Sequence, residues 1–250
     1  MRVLVIGDSC EDIFVYGNII RLSPEAPVPI LQPIKETKNG GMALNVYNNF
    51  LSLGVEVDII TNEKSQIRKV RYVDNRSSQM VLRIDENDEC EEIDEITRMH
   101  ICNNQYQDKT YDAIVISDYC KGFLSKTDIE LLCKSNKNVF VDTKKQLGKW
   151  IQHATFIKIN SFEYKKNYEY FNTNGFIDKL IVTLGGEGCL YNGKNYSVKR
   201  VPVKDVSGAG DTFLAGLVYG YLDTNSIYKA IKFAQECTTI VVQKHGVSTV

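Results

Sequence analysis

The sequence predicts an α/β protein: a mostly parallel sheet covered by helices on both faces, with a small strand lobe. Three observations predict it. Strand, polar loop and helix recur in that order along the chain. The strand-like runs are continuous and aliphatic, as buried parallel strands are. Five of them end on or beside a polar residue, at Asp8, Asp118, Asp142, Asn160 and Thr183. Ligands of such sheets lie past the strand carboxyl ends, so these positions mark the side that carries chemistry.

Residues 3–6 form the first aliphatic run and stop at Gly7-Asp8. Residues 13–33 hold two apolar stretches broken by Ser-Pro and Pro-x-Pro, which reads as short edge strands and loops. Gly40-Gly41 opens a helix whose stripe is Ala43, Val46, Phe50 and Leu53, and Gly54 closes it. Residues 55–61 are a strand. Residues 70–73 and 79–84 read as two paired strands around the turn Asp74-Asn75-Arg76-Ser77. The acidic run 85–95 leads into an amphipathic helix and reads as its solvated face. Residues 111–117 are a strand, and Ser125 with Asp128 forms a capping box for a helix to Lys134. Strands at 139–141, 155–159 and 179–183 follow, then helices at 211–221 and 226–242. No linker splits the chain. One domain is expected over 1–250, with the strand lobe built from 12–34 and 68–84.

Composition narrows the function. Thirty Lys and Arg face 31 Asp and Glu, a net charge of −1 over 250 residues, so no global basic field draws the chain to nucleic acid or anionic membrane. No run reaches membrane-spanning length and no signal peptide is visible. The seven Cys and three His are scattered without CxxC, which speaks for thiols in a reducing cytoplasm rather than for a disulfide framework or a zinc site.

The sharpest feature is Asp205-Val-Ser-Gly-Ala-Gly-Asp-Thr212. Gly208, Ala209 and Gly210 precede a helix start, where unobstructed N–H groups and the helix dipole favour an anion. Asp211 stands in the first turn, within reach of a hydroxyl held there. Phosphoryl transfer needs that pairing of donors and a carboxylate. A plain helix entry with Asp211 as its cap explains the same residues. Thr183-Leu-Gly-Gly-Glu-Gly188 follows another strand and reads equally well as a tight turn or hairpin. Neither GxGxxG before a helix nor GxxxxGK[ST] occurs, which disfavours a P-loop enzyme.

These residues carry a resemblance. DVSGAGDT is similar to the second signature of PfkB or ribokinase-like sugar kinases, and Gly40-Gly41 with Asn45 to the first. The chain resembles more closely the kinase domain of bacterial D-glycero-β-D-manno-heptose 7-phosphate kinases, the first half of a bifunctional heptose kinase/adenylyltransferase. GDSCEDIFVYG, RLSPEAPVPIL, SDYCKG and KHGVSTV match that family in order from residue 3 onward. The resemblance implies a ribokinase-like fold and an ATP-dependent kinase. The reaction phosphorylates the anomeric hydroxyl of the heptose 7-phosphate to give the 1,7-bisphosphate. It also implies Mg2+, an optional monovalent cation, and a homodimer paired through the small lobe.

Site roles follow from the resemblance by position. Asp12, Gly40, Gly41 and Asn45 would hold sugar hydroxyls. Asp211 would be the general base, with Gly208, Ala209 and Gly210 as the anion hole. Asn160 and Glu163 would organise the magnesium-bound phosphates, Glu163 through water. Thr183, Gly185 and Gly188 would line the ATP side. Lys69 and Arg71 would clamp the sugar's own phosphate, with Arg83, Asp118 and Lys121 in support. Asp142 with Lys144 would form a buried pair behind the ATP site.

The chain departs from the family in two stretches. Between Thr61 and Lys69 only TNEKSQI stands where the family has a further helix and strand, and the region after Glu163 is short. No final helix and no adenylyltransferase domain are expected. Two alternatives stay open: a PfkB-like kinase of another sugar, sugar phosphate or nucleoside, and an inactive sugar- or nucleotide-binding protein on the same scaffold.

Overall fold

A computed structural model describes residues 1–63, 66–102, 106, 109–170 and 176–250. Its central sheet has eight strands: β1 (Arg2–Gly7), β4 (Glu56–Thr61), β7 (Ala113–Asp118), β8 (Val139–Thr143), β9 (Phe156–Asn160), β10 (Leu180–Thr183), β11 (Cys189–Tyr191) and β12 (Lys194–Tyr196). Their order is β12-β11-β10-β9-β8-β7-β1-β4. Every pairing from β4 to β10 is parallel. β10, β11 and β12 close the far edge antiparallel, so the Gly-rich turn after Thr183 is a hairpin.

Alternate strand residues face opposite layers, as the pleat requires. Leu4, Ile6, Ile114, Ile116, Val139 and Val141 pack with α3 (Lys126–Ser135) and α2 (Glu95–Cys102). On the other face, Val3, Val5, Ala113, Val115 and Phe140 pack under α1 (Ala43–Ser52), α5 (Ala209–Thr224) and α6 (Ile227–Val241). Helices thus cover both faces. The Ser125–Asp128 capping box is present in full.

The lobe is larger than the sequence suggested. β2 (Ser9–Leu22) and β3 (Pro29–Met42) are 14-residue antiparallel partners, and β5 (Arg68–Asp74) and β6 (Met80–Glu86) complete a sheet ordered β3-β2-β5-β6. Residues 13–33 were expected as short edge strands and loops, and the chain instead holds a long strand that includes Pro29 and Pro33. They sit on β3, an edge strand, where a missing N–H costs no ladder bond. Register shifts at Tyr16/Gly17 and Ile19/Leu22 absorb the irregularity. Gly40-Gly41 therefore ends β3 rather than opening a helix, and α1 begins at Ala43. The shortened stretches after Thr61 and after Glu163 include residues 64–65 and 171–175, which lie outside the described residues.

Candidate active site

The chain leaves β1 toward β4 in one direction and β7 toward β10 in the other. The strand order reverses between β1 and β7, where open α/β sheets bind ligands. Asp8 follows β1 and Tyr119 follows β7. Asp8 is fully buried and accepts from the Tyr119 N–H at 2.5 Å and the Phe123 N–H at 3.2 Å.

Asp211 lies beside this point in the first turn of α5. It does not cap the helix: Gly208 is the N-cap and makes no side-chain cap bond, while Asn45 Nδ2 donates to the Gly208 carbonyl at 3.5 Å. The carboxylate instead takes one donor on each oxygen. Tyr119 Oη donates to Oδ1 at 2.7 Å, and Asn45 Nδ2 donates to Oδ2 at 2.9 Å. Burial pushes the carboxyl upward, while Asn45, Tyr119 and Lys158 offset part of the rise. Asn45, expected to hold sugar hydroxyls, is here spent on Asp211 and is 1% exposed. Gly208 has φ 77°, and a Cβ on it would stand 2.5 Å from Asn45 Nδ2. Only glycine lets the helix entry approach Asn45 this closely.

Two sides flank Asp211. On one, a cavity of about 490 Å³ runs between the β10–β11 turn and the start of α5. Thr183, Gly185 and Gly188 line it, together with Ala209 and Gly210 of the expected anion hole but without Gly208. Val198, Val201, Val203, Val206 and Val242 supply apolar walls that sequence reasoning missed. Its size and mixed lining suit a nucleotide. A buried charge lies behind Gly210: Lys158 Nζ is 2.6 Å from Asp142 Oδ2, and a Cβ on Gly210 would stand 3.0 Å from that nitrogen. Lys144 pairs with Asp142 at 3.3 Å and Glu163 at 2.6 Å, so the expected Asp142–Lys144 pair is present. Burial raises the Asp142 carboxyl, but the two lysines outweigh it and hold it below the usual range.

Asn160 and Glu163 form a capping box at the start of α4 (Ser161–Lys166). Glu163 is thus engaged by Asn160 and Lys144, and no group of three His, Cys, Asp or Glu among the described residues makes a metal cage. A magnesium ion bound here would rely chiefly on phosphate oxygens and water and would add positive charge at the phosphates, with Glu163 acting through water.

On the other side stands the lobe. Asp12 is buried on β2, and its carboxylate pairs with Arg71, whose guanidinium also lies 5.1 Å from the Phe14 ring. Gly41 leaves room for Asp12: a Cβ there would meet Oδ2 at 2.6 Å. The two residues of the expected Lys69–Arg71 clamp have different partners in this structure. Arg71 holds Asp12, whereas Lys69 makes no ion pair among the described residues and reaches over the Tyr119 ring at 5.5 Å. The three expected supports are engaged elsewhere in this structure. Arg83 faces Arg71 in register but turns onto Asp85 at 2.8 Å, and Lys121 pairs with Asp88. Asp118 is buried against Thr143 and Lys145, the latter at 2.5 Å, behind the site rather than in it.

Comparison with known proteins was decisive on family. The model described as pfkB family carbohydrate kinase matches residues 59–250. The chain belongs to the PfkB carbohydrate kinase family. Two curated relatives, both named bifunctional protein HldE, extend the match over the whole chain. The Nitratiruptor sp. protein is 34% identical over 99% of this chain, and the Sulfurimonas denitrificans protein is 31% identical over 100%. The chain spans about 63% and 62% of their lengths. Solved PfkB-type structures share the fold. Arabidopsis thaliana ribokinase, with ribose and ATP, superposes with TM-score 0.69 at 15% identity, covering 98% of this chain and 93% of that one. Escherichia coli phosphofructokinase-2, with potassium, gives 0.69 at 12%, covering 99% and 94%. The α/β fold with its strand lobe is therefore ribokinase-like, as the sequence resemblance implied.

Proposed function

We propose that this PfkB kinase transfers the γ-phosphoryl group of ATP to the anomeric hydroxyl of D-glycero-D-manno-heptose 7-phosphate, yielding the 1,7-bisphosphate and ADP. The observation that carries the reading is the place of Asp211. It stands at the α5 N-terminus, with the nucleotide-sized cavity on one side and the Asp12–Lys69 face of the lobe on the other. The likeness to two HldE proteins supports a heptose acceptor.

The acceptor hydroxyl gives its proton to Asp211 as its oxygen bonds to the γ-phosphorus, and the bond to the β–γ bridging oxygen breaks to release ADP. The N–H groups of Gly208 and Gly210 and the Lys158 ammonium would meet the charge that develops, while the Ala209 N–H is held by the Val206 carbonyl at 3.1 Å. Bound Mg2+ would supply further positive charge to the phosphate oxygens. Asp12, fixed by Arg71, orients the sugar, and Lys69 takes the 7-phosphate.

The test is a screen of heptose 7-phosphate, other sugar phosphates, free sugars and nucleosides with ATP and Mg2+. ADP release is expected only with a phosphorylated sugar. Turnover of only a free sugar or nucleoside would overturn the heptose reading, and binding without ADP release would make the chain an inactive scaffold.

The same reading places the enzyme in the cytoplasm, working on small molecules. Among the described residues no helix is long and apolar enough to cross a membrane. A homodimer is proposed through the outer lobe face. There Ile13, Val15 and Val70 cluster with Leu31 and Tyr72, and Leu82 and Ile84 stand exposed across from Tyr72 and Val70. A second copy of this face would cover it. Sedimentation showing only monomer at micromolar concentration would remove the dimer.

A further inference from the structure

One side chain joins every part of the site. Tyr119 is strung by its N–H on Asp8 and donates its hydroxyl to Asp211. Two ammonium groups lie over its ring: Lys69 of the lobe at 5.5 Å and Lys144, from the buried lysine–carboxylate network, at 5.1 Å. Cations over a ring face draw electron density from it, which makes a phenol a better hydrogen-bond donor.

A carboxylate buried without donors takes up a proton and ceases to be a base. Asp211 avoids this with one neutral donor on each oxygen, Tyr119 on Oδ1 and Asn45 on Oδ2. Neutral donors hold the ion without cancelling its charge, and each oxygen keeps a lone pair for the acceptor hydroxyl. The other groups bearing on Asp211 are Cys10 on β2, Asp142 on β8 and Lys158 on β9. Burial pushes the Cys10 thiol up to about 12, so it stays neutral. Burial, then Asp211 and Asp142, hold the Tyr119 phenol well above its ordinary range, so it stays protonated and remains a donor across the neutral range.

We propose that Tyr119 is a positioning residue for phosphoryl transfer: its hydroxyl keeps Asp211 ionised and aimed, and its ring ties that carboxylate to the lobe through Lys69. This rests on the reading of Asp211 as the base.

The test needs no substrate. Carbon-13 NMR of labelled aspartate carboxyls follows the titration of Asp211, whose signal is identified by its loss in Asp211→Asn. Tyr119→Phe, which keeps the ring, is expected to move the midpoint up by about one unit, since a donor to the charged form has gone. With 3-fluorotyrosine placed at position 119, a stronger donor of nearly equal size, the midpoint is expected to fall. In turnover with ATP and heptose 7-phosphate, Tyr119→Phe is expected to lower kcat about tenfold or more with KM little changed, and to move the acid limb upward. An unmoved midpoint in both variants would overturn the proposal. Should no variant turn over heptose 7-phosphate, the acceptor assignment fails while the titration still decides the role of Tyr119.

Discussion

Lys158 Nζ lies 2.6 Å from Asp142 Oδ2, and the two side chains are 4% and 2% exposed. They are register partners on the neighbouring strands β8 and β9, so the sheet itself holds them together. The pair sets a fixed positive charge beneath the α5 entry, where Gly210 passes over the ammonium.

Breaking one half of a buried pair leaves the other unpaired, at about 3–5 kcal/mol. Asp142→Asn is therefore expected to lower the melting temperature by several degrees and to reduce kcat, whereas Lys144→Met is expected to be milder. Thermal melts of both variants check this. Equal and small shifts would contradict a dominant Asp142–Lys158 pair.

The pH dependence has two opposed parts. Asp142 is held below its ordinary range, so its contribution to stability is present above the unfolded carboxylate value and is lost as pH falls through the lower folded value. Asp211 is raised mainly by burial, so the folded state holds that proton more tightly. Its ionisation opposes folding as pH rises through the window from the unfolded to the folded value. Asp211→Asn is expected to melt higher than the parent at pH 7, with the gap closing as pH falls toward 4. Melts across that range measure it.

Lys69 and Arg71 are expected to differ in kind. A charge-assisted hydrogen bond is worth about 1.5–3 kcal/mol, so Lys69→Met should raise KM for a sugar phosphate about tenfold or more. Arg71→Met frees Asp12 and should depress kcat/KM for phosphorylated and unphosphorylated acceptors alike. Steady-state kinetics with both acceptor types separates these patterns.

Gly208 has φ 77° and no space for a Cβ beside Asn45. Gly208→Ala should cost about 1–2 kcal/mol in backbone strain and displace Asn45 from Asp211. Activity should then fall further than a drop of a few degrees in melting temperature accounts for. A melt beside a rate measurement tests both halves.

The fold was legible where buried strands are uninterrupted apolar runs ending in a polar residue, as in β1, β7 and β8. The lobe was legible in place and in its edge strands but not in length, because Gly40-Gly41 reads as a helix opening although β3 runs through it to Met42. At the site, the Asp205–Thr212 segment was visible because its chemistry is local. The Asn45–Asp211 contact spans 166 residues, and nothing in either segment announces the other. Lys158 was missed although it left a signal: a lone charge inside the aliphatic run of β9 requires a buried partner, and Asp142 ends the neighbouring strand. Tyr119 was read only as part of SDYCKG, since its partners come from the loops after β1 and β8, from β5 and from α5.

Asp211→Asn tests the central claim most directly. The amide keeps the size, and its oxygen can still accept from Asn45, but it cannot accept the acceptor's proton. Turnover with ATP, Mg2+ and heptose 7-phosphate should fall by roughly 10²-fold or more, while calorimetric binding of both ligands stays within several-fold of the parent. Near-normal turnover with intact binding would contradict Asp211 as the base and the mechanism built on it.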